Sequence, residues 1–507
     1  MKFEFDSKWL VLFVVMVAVV FATVMLNQEH YNETSNKTIG TVDIDDGDLD
    51  INWNKYPNYE ITLSENLNIN TQGTYHVTGK LENGLINIEV KSNENIRLIL
   101  DNASIKNNAG PAIICKSAND LVIETIGNNI LEDGASYSEE FDSDVTGVIY
   151  SKSDTTFGGE GSLTIIANYQ DGIVSKDDLK VKSGSFDITS QDDGIRGKDS
   201  VYILDGSFII NAGADGIKST NEAEFNKGFV LIKDGSFNIT TQNKGIKAFK
   251  NVLLNGGSYS INSIDDAIHS DSFIGISGGM YNISTFDDAI HANKEIVIDD
   301  GDITIVKSHE GMESESITMN GGLIDITSTD DGINIESGVN TSSGTLTINN
   351  GKVTIDSAGD GIDSNGWVYI NGGDIVINGP TSDNNGALDA DREIIMNGGR
   401  IIAIGSSGMV KELSNNSKVP GMSIYLEKAK PAGTLIELKD SSGNIVFEHK
   451  SIKTFRHINI ASESIKLGEI YTLYLNGTET KIITPTEIIT KIGNQVRPNN
   501  PSQRILP

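Results

Sequence analysis

The stretch "TSQDDGIRGK", residues 189–198, decides the fold because close copies of it recur along the chain. Copies read "YQDGIVSK" from residue 169, "GADGIKST" from 213, "IDDAIHSD" from 264, "FDDAIHAN" from 286 and "TDDGINIE" from 329. Weaker copies begin at residues 242, 308, 358 and 383. The residue before the Gly or Ala recurs mostly every 21 or 22 residues, and two of the intervals are 29 residues long. Self-similarity at such a period indicates a repeat architecture.

The segments between the copies predict short β-strands. Runs such as "VYILDGSFII" are rich in Ile, Val, Tyr and Phe with period-two alternation, and Gly, Asn and Asp bound them. Three strands and three turns fill one period, so each repeat is one coil of an all-β parallel β-helix. The Gly, Asn and Asp residues are typical of left-handed turn conformations. The isoleucines after the Gly or Ala are expected to form a buried stack: Ile173, Ile195, Ile217, Ile246, Ile268, Ile290, Ile333 and Ile362.

Composition restricts the partners. The chain has 507 residues and a formal net charge of −31, which argues against nucleic acid and against anionic lipid surfaces. The one cysteine, Cys115, excludes intramolecular disulfides and cysteine-rich zinc sites. Its place in the apolar run "GPAIICKS" predicts a small buried residue.

The two ends differ from the repeats. Residues 9–26 form an apolar run of the length that spans a bilayer, and no convincing cleavage site follows it. We expect a transmembrane helix that anchors the protein at the cell surface, with a cleaved signal and secretion as the alternative. The predicted organisation is a basic N-terminus (1–8), the anchor (9–26), an acidic stalk (27–54), the β-helix (55–405), a small C-terminal antiparallel β module (406–490) and a disordered tail (491–507).

The recurring acids suit a metal ion. In a β-helix each recurring position becomes a file with about 4.8 Å between its members. Carboxylates at that separation repel by about 1 kcal/mol in water and about 3 kcal/mol at an effective dielectric constant of 20. Calcium takes oxygen ligands at about 2.3–2.6 Å, so an ion between two coils can contact a carboxylate on each. We therefore expect calcium as the cofactor, in three clusters: Asp171, Asp192, Asp193 and Asp215; Asp265, Asp266, Asp287 and Asp288; and Asp330, Asp331 and Asp360.

An alternative role for these acids is turn capping. An Asp before Gly often accepts hydrogen bonds from nearby backbone N–H groups, and for each aspartate taken alone this is the simpler interpretation. The paired acids of several repeats favour a metal, because a lone turn does not need two of them. Lys244 interrupts the file and is expected to form a salt bridge in place of the ion.

Basic and imidazole side chains occupy the slot after the isoleucine. Beside an acidic file they suit an extended polyhydroxylated or uronic-acid chain, because Arg and Lys pair with sugar carboxylates and calcium bridges these to the protein's acids. The alternatives are a solvated face of alternating charges and a transition-metal site of His269 and His291 with Asp265 and Asp287. The predicted carbohydrate-binding residues are Arg196, Lys218, Lys247, His269 and His291.

The chain as a whole resembles clostridial and archaeal carbohydrate-binding β-helix proteins that look like polysaccharide lyases. The likeness runs from "GTYHVTGKLENGLINIEV" (73–90) through the "DDGI" coils to "AGTLIELKDSSGNIVFE" (432–448) and "LGEIYTLYLNG" (467–477). It implies a right-handed parallel β-helix that binds calcium, cellulose-like glucans and acidic sugars such as polygalacturonate. The family's calcium ligands would map onto the Asp-Asp-Gly positions.

Two functional classes follow, besides a purely structural surface protein. The first is a non-catalytic, membrane-anchored polysaccharide binder. The second is a calcium-dependent lyase that cleaves uronate polymers by β-elimination, for which Arg196, Lys218 and Lys247 are the candidate bases. Binding is favoured because the acids are spread over the whole file instead of being concentrated at one coil. No catalytic residue is assigned.

Overall fold

The computed structural model describes residues 51–337 and 343–495. Apart from a 3₁₀ turn at Trp53–Lys55, the regular structure of these residues is β. Three parallel sheets coil around a common core, so the prediction of an all-β parallel solenoid is confirmed. The handedness of the coil stays a prediction. The strands are numbered in chain order, and the long strands β5, β27 and β29 each bend from one sheet into another.

Each sheet takes one strand from nearly every coil. Sheet 1 contains β1 (Asn58–Leu63), β3 (Gly73–Leu81), β5 (Ile96–Lys106), β7 (Asp120–Ile126), β10 (Asp154–Gly159), β13 (Asp178–Val181), β16 (Ser200–Ile203), β19 (Phe229–Ile232), β22 (Asn251–Leu254), β25 (Phe273–Ile276), β27 (Ile290–Ile298), β29 (Met312–Met319), β32 (Gly344–Ile348), β35 (Gly366–Ile370) and β37 (Ile394–Met396). Sheet 2 contains β2 (Leu67–Ile69), β4 (Ile86–Glu89), β6 (Ile113–Ser117), β9 (Gly147–Ser151), β12 (Asp171–Ser175), β15 (Ile195–Gly197), β18 (Ile217–Ser219), β21 (Ile246–Ala248), β24 (Ile268–Ser270), β31 (Ile333–Ile335), β34 (Ile362–Ser364) and the first halves of β27 and β29. Sheet 3 contains the end of β5, β8 (Asn128–Glu132), β11 (Ser162–Ala167), β14 (Ser185–Ser190), β17 (Ser207–Ala212), β20 (Ser236–Thr241), β23 (Ser258–Asn262), β26 (Met280–Ser284), β28 (Asp302–Ser308), β30 (Leu323–Ser328), β33 (Lys352–Ser357), β36 (Asp374–Asn378) and β38 (Arg400–Gly405).

The last strands are mostly antiparallel. They are β39 (Gly421–Lys430), β40 (Leu435–Asp440), β41 (Ile445–Lys450), β42 (Phe455–Ser462), β43 (Tyr471–Leu475), β44 (Thr478–Ile483) and β45 (Ile489–Ile492). Strand β42 pairs antiparallel with β38, the last strand of sheet 3, and so covers an edge that would otherwise be unpaired. Strands β40, β41, β43 and β44 form a separate four-stranded sheet.

The core is a set of files of identical side chains. Ile173, Ile195, Ile217, Ile246 and Ile268 are in register on successive strands of sheet 2, and each is at most 1% exposed. The predicted isoleucine stack is therefore confirmed. Sheet 3 adds an aromatic stack that begins with parallel rings 4.9 Å and 4.8 Å apart. Its members are Phe186, Phe208, Phe237, Tyr259 and Tyr281.

The glycine of the repeat has a different role from the one we expected. At Gly194 a Cβ atom would lie 2.6 Å from the carbonyl oxygen of Gly216 and 2.6 Å from Cγ2 of Ile210. Close approach of the next coil therefore favours glycine there, while left-handed backbone occurs at other turns such as Gly235 (φ 129°). Ala267 and Ala289 show that a methyl group fits where the coils allow it.

The predicted anchor, 9–26, the predicted stalk up to residue 50 and most of the predicted tail lie outside the described residues. Within the described part of the chain, no helix is long and apolar enough to cross a membrane. The first 29-residue step produces a loop between β18 and β19, as expected, and part of the second lies outside the described residues.

Candidate calcium and carbohydrate site

The predicted acids form a single file at the turn that leads into sheet 2. The Oδ1 atom of Asp171 accepts the backbone N–H of Asp193 at 3.1 Å, and Oδ1 of Asp193 accepts that of Asp215 at 3.1 Å. The pattern continues from Asp266 to Asp288 and from Asp288 to Glu310, at 3.3 Å in both cases. It resumes in the later coils with Asp331, Asp360 and Gly386, at 2.6 Å for both bonds.

This acid ladder combines the two interpretations of the sequence. The acids stack in register, as a metal file requires, but one oxygen of each aspartate in the file accepts a main-chain N–H of the next coil. The second oxygen of each carboxylate is left to bind a cation or a proton. Because the ladder buries Asp171 and Asp215 to 1% and 0% exposure, that second oxygen needs a cation or a proton.

In the first coils, protein side chains supply the cation. The guanidinium of Arg196 binds Oδ2 of Asp171, and Nζ of Lys218 lies 3.1 Å from Asp193 and 2.8 Å from Asp215. Burial alone lowers the pKa of Lys218, yet these two carboxylates outweigh it and raise the pKa. Two cations therefore partly neutralise the four acids of the first predicted calcium cluster, and the pKa of Asp193 remains raised, to about 6, by burial and by the neighbouring aspartates.

Lys244 and two imidazoles occupy the middle of the file. Nζ of Lys244 lies 2.6 Å from Oδ1 of Asp265 and 2.7 Å from Oδ2 of Asp266, which confirms its predicted salt bridge. His269 binds Asp266 through Nδ1 at 2.7 Å and Asp271 through Nε2 at 2.8 Å. With both ring nitrogens bound to carboxylates, His269 is a poor metal ligand as it stands.

The electrostatics of this middle region centre on one buried carboxylate. Burial raises the pKa of Asp266, but hydrogen bonds from His269, His291 and Lys244 outweigh burial and hold the pKa far below its usual range. Nδ1 of His291 lies 3.4 Å from Asp266 and 3.7 Å from Asp288. Burial alone lowers the pKa of His291, and the contact with Asp266 raises it above the usual value overall.

The later coils contain buried acids without lysine or arginine partners. Among the described residues, no Lys or Arg forms an ion pair with the acids of the file from Asp288 to Asp363. One of their oxygens, Oε2 of Glu310, is buried without a hydrogen-bond partner. Burial is the first cause of raised pKa values here, to about 7 for Glu310, about 10 for Glu313 and about 8 for Asp360. We call this group the uncompensated cluster; it consists of Asp288, Glu310, Glu313, Asp331, Asp360 and Asp363.

Several sets of ligand atoms in and beside the cluster lie close enough to share one ion. Within each of three sets, one atom from each residue lies within 4.8 Å of the others. They are Asp287, Asp288 and His309; Asp288, His291 and Glu313; and His309, Glu310 and Asp330. Each of these three sets includes a histidine nitrogen, which suits a transition metal better than calcium. The carboxylate oxygens alone, with the orphaned oxygen of Glu310 among them, are the kind of ligand that calcium takes.

Comparison with known proteins identifies the family of the chain. A family model described as "Carbohydrate-binding domain-containing protein" matches residues 64–311 and 309–470. The chain belongs to this carbohydrate-binding family. A curated relative of the same description, from Acetivibrio thermocellus, is 32% identical over 133 residues, which are 25% of this chain and 46% of the relative. The chain thus spans about half the length of that relative.

A solved structure is also similar to this family member. It is a polysaccharide lyase-like protein from C. thermocellum, determined as a gadolinium derivative. It is 25% identical in sequence, the match covers 52% of this chain and 92% of that chain, and the TM-score is 0.36.

The remaining predicted residues lie on the rim of the file. Asp192, Asp265 and Asp330 are half-buried, and Asp287 is exposed. Lys247 is half-buried, aligned between Lys218 and His269, and forms no ion pair with any described residue. Of the predicted carbohydrate-binding residues, Lys247 is the most available to a ligand, because the other four contact the protein's own acids: Arg196, Lys218, His269 and His291.

Sequence reasoning missed some acids of this carbohydrate-binding family member. Glu310, Glu313 and Asp363 were visible as acids in the repeat but were not assigned to the metal. A second corner, with Asp154, Asp177 and Asp178, also gathers carboxylate atoms within 4.8 Å of one another. Its signal was the in-phase recurrence of Lys-x-Asp at residues 152–154 and 176–178.

Proposed function

We propose that the protein is a non-catalytic, calcium-dependent polysaccharide binder of the cell surface, held there by an anchor at residues 9–26. The family match supports the carbohydrate-binding part. The calcium part rests on one observation, the uncompensated cluster. Cleavage of the N-terminal segment and secretion remain the alternative for localisation.

Calcium supplies the positive charge that the later coils lack. Asp288, Glu310 and Glu313, which lie on two neighbouring coils, would hold one ion through their carboxylate oxygens, and Asp331, Asp360 and Asp363 would hold another. These carboxylates would then be ionised at neutral pH. A bound ion with open positions also attracts the carboxylates of an acidic glycan, such as a uronic-acid polymer. Lys247 and His291 lie along the same file and add positive charge for that polymer.

A lyase is less well supported. Of the candidate bases, Arg196 and Lys218 bind the buried carboxylates of Asp171, Asp193 and Asp215. The raised pKa of Lys218 makes it a poor proton acceptor at neutral pH. Lys247 alone is left without an acid partner among the described residues, so binding without cleavage is the better conclusion.

The test combines calorimetry with a glycan-binding assay on the full chain. We expect calcium to bind the wild type, and Glu310→Gln to weaken calcium binding about tenfold or more by removing a charged ligand. Asp325→Asn, which removes an exposed acid on sheet 3, is the matched control and should leave calcium binding unchanged.

The glycan arm uses polygalacturonate with calcium or with a chelator. Binding should require calcium and should not produce unsaturated chain ends, which absorb in the ultraviolet. Equal binding in chelator would reject the calcium dependence, and rising absorbance would establish the lyase instead.

A further inference from the structure

A second file of side chains runs along the more exposed side of the acid ladder. It consists of the residue that precedes each ladder acid, and in the middle and later coils these residues are Asp265, Asp287, His309 and Asp330. Backbone hydrogen bonds set its register, because the N–H of His309 donates to the carbonyl of Asp287 at 2.8 Å and that of Asp330 to the carbonyl of His309 at 2.9 Å. We call this file the rim; within it, His309 is an imidazole between two carboxylates.

His309 differs from the other histidines beside the ladder because its ring is not engaged by the protein. His269 uses both ring nitrogens to bind aspartates, at 2.7 Å and 2.8 Å, and Nδ1 of His291 lies 3.4 Å from Asp266. Neither ring nitrogen of His309 forms a hydrogen bond with any described residue, and its side chain is 52% exposed. The contact of its Nε2 with Oδ2 of Asp330, at 3.8 Å, is longer than a hydrogen bond. The lone pair of this imidazole is therefore available to a ligand.

Two carboxylates complete the surroundings of the imidazole. One ligand atom from each of His309, Glu310 and Asp330 lies within 4.8 Å of the others, a separation that a single ion can span. Oε2 of Glu310 is buried without a hydrogen-bond partner, which is costly unless a proton or a cation binds it. The orphaned oxygen and the unengaged imidazole are independent observations, and both belong to residues of this set.

The donor atoms of the set determine which class of ion it takes. Imidazole nitrogen suits zinc, copper and nickel, whereas calcium and magnesium take oxygen ligands. Three protein ligands with the remaining side left open are typical of zinc sites that also bind water or another ligand. His309 is exposed and Asp330 is half-buried, so the open side of such a site faces solvent.

His309 also belongs to a second set, with Asp287 and Asp288 of the preceding coil. A neutral imidazole has one lone pair, so His309 can bind only one ion at a time. The orphaned oxygen belongs to Glu310, and it therefore favours the set with Glu310 and Asp330.

We infer that His309, Glu310 and Asp330 bind a divalent transition-metal ion such as zinc at the rim, with at least one coordination position open to solvent. This site differs in chemistry from the calcium sites of the proposed function because it requires a nitrogen ligand, and it does not depend on carbohydrate binding. Glu310 has two carboxylate oxygens and can contribute one to each kind of ion.

The experiment titrates zinc chloride into the full chain by calorimetry, in buffer that contains calcium. A parallel titration uses cobalt(II), whose visible absorption reports nitrogen ligation and coordination number. We expect the wild type to bind zinc, and His309→Ala to weaken zinc binding about tenfold or more and to reduce the cobalt absorption, because the nitrogen ligand is lost. Calcium binding should be the same in both proteins.

His76→Ala is the matched control. His76 also lies between two carboxylates, with Nδ1 2.9 Å from Glu60 and Nε2 3.0 Å from Asp101, but it belongs to strand β3 of sheet 1. Its removal should leave zinc binding unchanged. Zinc binding that survives His309→Ala, or that is lost equally in His76→Ala, would overturn the inference.

Two further variants distinguish the two sets that share His309. Asp330→Asn should weaken zinc binding about as much as His309→Ala does, whereas Asp287→Asn should weaken it much less. The opposite order would overturn the inference in favour of the set with Asp287. If zinc binds while calcium does not, the proposed calcium site fails and this inference stands; if calcium binds while zinc does not, this inference fails alone.

Discussion

At the scale of single residues, the buried acids divide by what neutralises them. Asp266 contacts Lys244 and two imidazoles. Glu313 instead lies beside Asp288 and other acids, and burial together with these acids raises the pKa of Glu313 to about 10. Glu313 occupies the slot that His269 and His291 occupy in the preceding coils, so an acid there replaces an imidazole beside the buried carboxylates. The residues at one or two positions of a coil therefore decide whether its buried carboxylates are paired within the protein or require an added cation.

Lys244 tests the self-neutralised part of the file. Lys244→Met should lower the free energy of unfolding by about 2–3 kcal/mol, less than the full cost of breaking a buried pair because His269 and His291 remain beside Asp266. The measurement is the shift in the denaturant unfolding transition. Lys247→Met is the control, because this neighbouring lysine has no ion pair among the described residues, and a loss as large as that of Lys244→Met would show that the salt bridge is not the cause.

At the scale of elements, the repeat period predicts most of the fold. A step of 22 residues sets the register of these coils, so Ile195 had to align with Ile217 and Asp193 with Asp215. The direction of long side chains does not follow from the period. Arg196 can extend to solvent or turn back to Asp171, 25 residues earlier, and the cost of leaving that buried carboxylate unpaired decides the outcome. The same applies to the second acidic corner, whose residues come together only once the coils close.

The aromatic stack is the element whose loss should cost most. Phe208 is 1% exposed and lies between Phe186 and Phe237, with ring centroids 4.9 Å and 4.8 Å away. Phe208→Ala should therefore lower the free energy of unfolding by about 3–4 kcal/mol, from lost burial and the cavity left between coils. Phe225→Ala, in a loop where the ring is 93% exposed, is the control and should leave the denaturant midpoint unchanged. A small effect at Phe208 would mean that the neighbouring rings collapse into the gap.

At the scale of the whole molecule, the file changes character along the solenoid axis. The first coils pair their acids with Arg196 and Lys218, the middle coils use Lys244 and His269, and the later coils hold the uncompensated cluster. In a solenoid each coil contacts mainly its neighbours, so a local excess of charge affects local stability more than the distant coils. The positions of the unpaired acids along the axis therefore say more about local stability than the total net charge of −31 does.

Removal of calcium should accordingly loosen one part of the solenoid. We expect amide hydrogen exchange in chelator to rise across the coils that contain Asp288–Asp363, because their carboxylates then repel or must take up protons. Exchange in the coils that contain Asp171–Asp215 should change much less on removal of calcium, since Arg196 and Lys218 already contact three of their four acids. The comparison is made peptide by peptide on the full chain by mass spectrometry. Exchange that rises equally in both regions would show that calcium acts on the whole molecule, and exchange that rises in neither would show that protons or solvent suffice to satisfy the cluster.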